Sequence, residues 1–163
     1  MNRNYSSQEY IVIIDRTREY KQDIAISGDF IVGFPGETDD DFEATLDIVK
    51  RVKYAHAYSF KYSPRPGTPA ALKDDQIDDE IKSQRLKTLQ DLIRQQTRDF
   101  NSSFFEKEIN VLIEKQGLGV NRLTGRSSYL QSVHMDGDPS FIGEIVKAKI
   151  IKTRDNSLEG IIL

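Results

Sequence analysis

The chain has 163 residues, a formal net charge of −3 and no cysteine. This length suits one ordinary domain or two small ones. The lack of cysteine excludes disulfides, thiolate metal sites and cysteine nucleophiles, and the weak negative charge provides no global basic field for nucleic acid. Because no apolar stretch approaches the roughly 18 residues of a membrane helix and no apolar signal core is found, we expect a cytoplasmic protein with no membrane partner.

The first part of the sequence alternates helical and strand-like patterns. Ser6 and Glu9 form a capping-box pattern, which predicts a helix over about 7–20. The β-branched and aromatic run 24–34 ends in Pro-Gly and predicts a buried strand. Thr38, followed by three aspartates, indicates the start of a second helix, because negative charge is favourable at a helix N-terminus.

The next strand is predicted over 55–63, where AHAYSFKYS runs into the proline-rich stop PRPGTPA. This alternation favours parallel strands joined by a crossover helix. An acidic stretch then leads into a long helix predicted over about 78–105. Short strand-like runs separated by Gly, Asn, Asp and Pro follow, a pattern typical of a small β-barrel. We therefore predict two domains, 1–107 and 108–163.

Two strand-to-loop junctions carry residues suited to a ligand. In DFIVGFPGET, Gly33 and Gly36 permit special backbone angles and close approach of a ligand, while the aspartates that follow disfavour a phosphate. In FKYSPRPGTP, prolines stiffen the loop around Arg65, whose guanidinium can pair with a carboxylate or phosphate. From spacing alone, a tight turn and a rigid loop with a solvated arginine are the simpler explanations.

Both segments resemble those of the tRNA methylthiotransferases, a family of radical S-adenosylmethionine enzymes. The resemblance implies an α/β fold in which a partial, half parallel β/α barrel precedes a small antiparallel β-barrel, OB-like and of the TRAM type. It implies that Arg65 faces the substrate cavity, whereas Glu37 stands one position late in a radical-enzyme pattern and receives no cofactor role. The residues that the resemblance places against the cofactor are Ile31, Gly33, Pro35, Gly36, Tyr62 and Ser63.

The family reaction adds a methylthio group to isopentenyl-adenosine next to the tRNA anticodon, using S-adenosylmethionine and two 4Fe-4S clusters. Cysteines hold such clusters, and this chain has none. We therefore expect no cofactor bound to the chain alone, no metal ligand or catalytic residue in it, and no activity by itself. The resemblance implies a C-terminal fragment, which begins with a barrel link, MNRNYSSQEY, and has tRNA and a missing cysteine-bearing N-terminal half as partners.

Over residues 108–163, Lys and Arg balance Asp and Glu, so RNA binding there needs a clustered basic face. For any one lysine, a solvated strand face is the simpler explanation. A stand-alone RNA-binding module, a structural remnant and a methylthiotransferase acting on a ribosomal protein remain alternatives to the tRNA enzyme. The candidates for phosphate contacts, followed by those for stacking on bases, are Arg122, Arg126, Lys147, Lys149 and Lys152, then Tyr129 and His134.

Overall fold

The structure, a computed structural model, describes residues 4–163. The first three residues of the predicted barrel link MNRNYSSQEY lie outside this range. The chain divides into a first unit that ends at Gln96 and a second unit, Thr97–Leu163. The domain limits predicted from the sequence stay a prediction. No helix within the described range is long and apolar enough to cross a membrane.

Helices and strands alternate in the first unit, as the sequence predicts. Both predicted helix starts are confirmed, because Ser6 with Glu9 and Thr38 with Asp41 form complete capping boxes. In the second box the Asp41 carboxylate accepts hydrogen bonds from the backbone and the side chain of Thr38. These bonds, chiefly the one from the backbone, lower the pKa of Asp41. The elements are α1 (Ser7–Tyr20), β1 (Ser27–Val32), α2 (Asp39–Val52), β2 (His56–Lys61), a 3-10 turn (Pro69–Leu72) and α3 (Asp79–Ser102), whose last residues belong to the second unit.

Strands β1 and β2 form a two-stranded parallel sheet, with Ser27 opposite His56 at one end and Val32 opposite Lys61 at the other. The predicted crossover between parallel strands is therefore present. Two paired strands do not make an arc of a barrel, so the predicted half barrel stays a proposal. One side of the sheet packs on a core that the helices share: Ile11, Ile14, Val32, Phe42, Leu46, Val49, Val52, Tyr54, Ala57, Leu89 and Ile93.

The second unit is a closed five-stranded barrel with strand order β3-β4-β5-β7-β6. All neighbouring strands are antiparallel except β5 and β7, which run parallel. The predicted barrel is confirmed, but its description as wholly antiparallel is wrong at this pair. A five-stranded barrel of this kind is OB-like. Its strands are β3 (Glu108–Gln116), β4 (Arg122–Ser127), β5 (Ser132–Asp136), β6 (Ile145–Thr153) and β7 (Ser157–Ile162).

Alternation along each strand fills the barrel with apolar side chains, because successive residues of a strand point to opposite faces. Phe104, from the segment that follows α3, joins this interior and contacts the ring of Phe100 at 5.2 Å between centroids. The inward residues of the strands are Val111, Ile113, Leu123, Val133, Met135, Val146, Ala148, Ile150 and Leu158.

Gly125 on β4 lies where the barrel leaves no room for a side chain. A Cβ there would lie 2.5 Å from the carbonyl oxygen of Leu112 and 2.6 Å from Cγ1 of Val111. Because backbone would have to shift, we expect Gly125→Ala to destabilise the barrel by about 1–3 kcal/mol. Gly160→Ala is the matched control, since its nearest backbone atom, the carbonyl oxygen of Lys149, lies 3.2 Å away. Hydrogen exchange of the strand amides measures the stability of the barrel in both variants. Equal losses of stability in the two would contradict the prediction.

Tyr54 is buried, and its hydroxyl lies 2.8 Å from that of Tyr10. Burial, and then this hydrogen bond, raise the pKa of Tyr54 above its usual value. In the unfolded chain a tyrosine ionises near pH 10. Because the folded chain keeps its proton to higher pH, the free energy of unfolding begins to fall at about that pH. We therefore expect the stability difference between the wild type and Tyr54→Phe to narrow as pH rises from about 9 to 11. Urea denaturation across this range tests it, and a constant difference would refute it.

Candidate functional site

The two segments that stood out in the sequence meet at one edge of the parallel sheet. The carboxyl ends of parallel strands lie together, and ligands gather there in α/β folds. The Tyr62 amide donates to the carbonyl of Val32 at 2.8 Å, and its ring meets that of Phe34 edge-on at 5.2 Å. We call this edge, formed by residues 31–37 and 62–65, the strand-end site.

The predicted cofactor residues differ in exposure at the strand-end site. Gly33 and Pro35 are buried and Tyr62 is half-buried, whereas the other members of the set are exposed. Arg65 is also exposed, and its carbonyl accepts hydrogen bonds from the amide and hydroxyl of Thr68. The structure therefore brings the set to one edge, and its contact with a cofactor remains a prediction. The exposed members are Ile31, Gly36 and Ser63.

The close approach expected at the two glycines is made by the chain itself. Both have left-handed backbone, with φ of 72° at Gly33 and 81° at Gly36. A Cβ on Gly33 would lie 2.1 Å from Cγ of Lys82, and one on Gly36 would lie 2.5 Å from Oδ2 of Asp75. The glycines are thus required by packing and backbone shape, whatever else binds at this edge.

A buried ion pair holds the turn after β1. Oε2 of Glu37 accepts the Gly33 amide at 2.6 Å and Nη1 of Arg85 at 2.7 Å. Nη2 of Arg85 donates to Oδ1 of Asp39 at 2.6 Å, and its guanidinium lies over the ring of Phe42. Burial disfavours the charged form of Arg85, but the bonds to Asp39 and Glu37 outweigh it and raise its pKa. The sequence offered no local sign of this pair, because Arg85 comes from the distant helix α3.

Tyr62 has an unusual hydroxyl. Over residues 4–163 it is the single buried side-chain nitrogen or oxygen without a hydrogen-bond partner. A buried polar group left unpaired costs about 1–3 kcal/mol, so such a group calls for an explanation. A ligand that offers a hydrogen-bonding atom at the strand-end site would supply one.

The residues present do not fit an iron–sulfur cluster. Clusters are held by cysteine thiolates, and the sequence has none. Within the described part of the chain, no group of three or more His, Asp or Glu side chains is arranged to hold a metal ion.

On the second unit, four of the predicted RNA-binding residues occupy neighbouring outward positions. His134 on β5 lies opposite Glu159 on β7, which lies opposite Lys152 on β6. In the neighbouring row across the same strands, Arg122 on β4 lies opposite Asp136 on β5, and Lys149 on β6 lies opposite Ile161 on β7. Asp136 and Ile161 lie opposite each other and so complete this row. We call this surface of β4, β5, β7 and β6 the outer face.

Glu159 lies at the centre of the outer face and orders two arginines. Its Oε1 accepts Nη2 of Arg154 at 2.5 Å and Nε of Arg154 at 3.0 Å, and lies 3.8 Å from Nη2 of Arg122. The hydrogen bond from Arg154, followed by the charges around it, lowers the pKa of Glu159. Sequence reasoning missed Glu159 and Arg154, although strand alternation would have placed Glu159 on the outward side of β7.

The two remaining predicted basic residues, Arg126 and Lys147, form ion pairs elsewhere on the barrel. Arg126, at the other end of β4, binds Oε1 of Glu114 and the carbonyl of Leu130, both at 3.1 Å. Lys147 on β6 pairs with Glu108 at 2.7 Å, and this bond lowers the pKa of Glu108. Their contact with RNA remains a prediction.

Tyr129 is the predicted stacking residue that lies away from the outer face. Its ring packs edge-on against Phe100 at 5.9 Å and Phe104 at 5.2 Å between centroids. It is only partly buried, at the border of the barrel interior. Packing already explains this aromatic residue, and its stacking on a base remains a prediction.

Comparison with known proteins agrees with this architecture. Residues 106–163 match the TRAM domain family. The tRNA-2-methylthio-N(6)-dimethylallyladenosine synthase of Maricaulis maris is 54% identical over 160 residues, which are 98% of this chain and 35% of that protein. Over nearly its whole length the chain is therefore similar to a part of the tRNA methylthiotransferases.

Other methylthiotransferases of the same name match as well. The Wolbachia pipientis protein from Culex pipiens is 51% identical over 162 residues, 98% of this chain and 37% of that protein. The Agrobacterium fabrum protein is 51% identical over 158 residues, 97% of this chain and 35% of that protein. The chain thus spans little more than a third of the length of these methylthiotransferases.

The buried pair at the strand-end site gives a stability prediction. Removing one partner of a buried ion pair leaves an uncompensated charge, so we expect Arg85→Met to destabilise the first unit by about 3–5 kcal/mol. The matched control is Arg51→Met, since Arg51 pairs with Asp15 at 3.1 Å on the exposed surface. An exposed pair contributes about 1 kcal/mol or less. Hydrogen exchange of the β1 and β2 amides measures the stability of both variants. Similar losses of stability in the two would contradict a stabilising role of the buried ion pair.

Proposed function

We propose that the chain is the tRNA-binding, C-terminal part of a tRNA methylthiotransferase that acts in the cytoplasm. The reaction is methylthiolation of isopentenyl-adenosine next to the tRNA anticodon by radical S-adenosylmethionine chemistry. The observation that carries this proposal is the outer face, where Arg122, His134, Lys149 and Lys152 gather on a barrel that matches the TRAM family. The names of the similar proteins supply the substrate class.

The position of the outer face supports RNA binding. OB-like barrels bind oligonucleotides through the face of their second and third strands and through the loops that join the first strand to the second and the fourth to the fifth. In this barrel those strands are β4 and β5, and the loops are 117–121 and 154–156. The outer face overlaps this surface through Arg122 on β4 and His134 on β5, and it continues onto β7 and β6.

The charge pattern of the outer face supports contact with phosphates. Arg122 is held by Oδ1 of Asp136 at 2.9 Å. Lys149 and Lys152 are exposed and form no ion pair with another residue of the range 4–163. Each lysine that neutralises an RNA phosphate releases bound counterions and favours association. His134 bonds Oγ1 of Thr124 through Nδ1 at 3.1 Å, and we assign its ring face to a base.

The strand-end site is proposed as one wall of the S-adenosylmethionine pocket. The unpaired hydroxyl of Tyr62 supports a ligand there. S-adenosylmethionine supplies the radical in this family, while the protein binds and orients it. We assign Arg65 to the substrate cavity. The wall residues are Ile31, Gly33, Pro35, Gly36, Tyr62 and Ser63.

The cluster ligands must come from outside this sequence, which has no cysteine. We propose a cysteine-bearing N-terminal half as the partner that supplies them, and we assign no chemical step to this chain. A stand-alone RNA-binding module is the second candidate function. It is favoured by the closed barrel, which has its own apolar interior and carries every residue of the outer face.

The proposal predicts salt-sensitive tRNA binding through the outer face. We expect Lys149→Gln with Lys152→Gln to weaken binding of a tRNA about tenfold and to lower the dependence of log K on log salt by about 1.5, since single phosphate contacts contribute about 0.7–0.9 each. Fluorescence anisotropy with a labelled anticodon stem-loop, titrated at several salt concentrations, gives both values.

A double variant on exposed helical positions, Lys50→Gln with Lys87→Gln, is the control for net charge. It removes the same two charges from the first unit. Equal weakening by the two double variants would mean that binding depends on net charge alone. No tRNA binding by the wild-type chain would refute the proposed function of the barrel.

A further inference from the structure

The loop between β6 and β7 is held from inside the second unit by a buried amide. Asn101, near the end of α3, is 3% exposed. Its Nδ2 donates to the carbonyls of Arg154 at 3.0 Å and Asp155 at 2.9 Å. Its Oδ1 accepts Nε2 of Gln131 at 2.8 Å, and Oε1 of Gln131 accepts the hydroxyl of Ser127 at 3.0 Å. Both N–H groups of the Asn101 amide and its oxygen therefore have hydrogen-bond partners.

This network fixes the backbone of an exposed loop. A fully satisfied buried polar network makes the groups that it joins rigid, whereas a partly satisfied one is costly. The loop is closed by a hydrogen bond from the Arg154 amide to the carbonyl of Ser157 at 2.8 Å. Arg98 adds an ion pair with Asp155 at 3.7 Å. Surface loops are usually mobile, so this much internal bonding requires an explanation.

The fixed loop presents one guanidinium to solvent beside the outer face. Nε and Nη2 of Arg154 bind Oε1 of Glu159, yet the side chain is 53% exposed. A guanidinium has five N–H donors arranged in a planar fork. Glu159 occupies the edge formed by Nε and Nη2, so the edge formed by Nη1 and Nη2 remains available for two parallel bonds to a phosphate.

The surroundings of Arg154 favour an anion. Three cations, Arg122, Lys152 and Arg154, surround two carboxylates, Asp136 and Glu159. The two carboxylates orient the arginines and leave the group with a surplus positive charge. An ion pair of this kind reduces the side-chain freedom that an arginine would lose on binding.

We propose that Arg154 binds an RNA phosphate in bidentate fashion and that Asn101 is the positioning residue that holds its loop. This inference rests on the proposed RNA-binding function of the barrel and adds a phosphate site at the loop 154–156. Glu159 is a second positioning residue, because it fixes the plane of the Arg154 guanidinium. The ligand is the phosphodiester backbone of RNA, so the site contributes affinity and register and no base preference.

Arg154→Gln tests the phosphate contact in the full chain. We expect it to weaken binding of the labelled anticodon stem-loop about threefold to tenfold and to lower the salt dependence by about one phosphate contact. Arg154→Lys keeps the charge and loses the fork, so the salt dependence should be retained while affinity is only partly restored. Arg51→Gln is the matched control, since this exposed arginine also pairs with a carboxylate, Asp15 at 3.1 Å, and should leave binding unchanged.

Asn101→Ala tests the positioning role. If Asn101 acts through Arg154, the double variant Asn101→Ala with Arg154→Gln binds no more weakly than the weaker single variant. Additive losses would refute the positioning role, and a thermal melt of each variant checks folding. If Asn101→Ala does not fold, Glu159→Gln, which loosens Arg154 without entering the buried network, replaces it in the same cycle.

The outcomes separate this inference from the proposed function. Unchanged affinity and salt dependence in Arg154→Gln, with weakened binding by Lys149→Gln and Lys152→Gln, would overturn the Arg154 site and leave RNA binding by the outer face intact. Unchanged binding in all of these variants would refute both. Equal weakening by Arg154→Lys and Arg154→Gln would refute bidentate phosphate recognition.

Discussion

The parallel pairing of β5 with β7 is the constraint on which the outer face depends. It inserts β7 between β5 and β6 and closes the barrel. Through this register Glu159 comes to lie between His134 and Lys152, and Ile161 between Asp136 and Lys149. A barrel in which β5 paired directly with β6 would separate these side chains. Closure also leaves no strand edge exposed, so the outward residues are the surface that such a small barrel offers.

Helix α3 contributes a buried polar side chain to each unit. Arg85 binds Glu37 and fixes the turn after β1, while Asn101 binds two carbonyls and fixes the loop after β6. Both reach backbone or carboxylate groups far away in the sequence, and both are almost completely buried. Buried polar groups of this kind contribute more to a unique local geometry than to net stability. In each unit the geometry that they fix belongs to a proposed ligand surface.

Local signals allowed much of the fold to be predicted from the sequence. The capping residues Ser6 and Thr38 marked two helix starts, and alternating strands marked the barrel, because these features depend on neighbouring residues. The parallel pair β5–β7 could not be predicted, since alternation records which face is buried and not which strand lies alongside. The strand-end segments carried the family resemblance because their residue strings are specific.

The candidate sites were harder to predict for the same reason. Lys149 and Lys152 were found because a basic residue on a strand face is visible in the sequence. Arg85 was missed because its partner Glu37 lies in a distant turn, and Glu159 because an acid in a basic site contradicts a search for positive charge. Tyr129 was predicted to stack on a base because it is aromatic, but its ring packs against Phe100 in α3 and Phe104 in the segment that follows α3.

The way Asn101 holds its loop has a consequence for how the protein evolves. The Asn101 amide donates to the main-chain carbonyls of Arg154 and Asp155, and these two hydrogen bonds involve neither side chain. Any residue except a conformationally restricted one offers the same carbonyl, so substitutions in the loop can accumulate without altering its path. The residue that fixes the loop, Asn101, is thus different from the exposed loop side chains that would contact RNA. Related barrels with another residue at the position of Arg154 would bind a phosphate there more or less tightly while the loop keeps the same path.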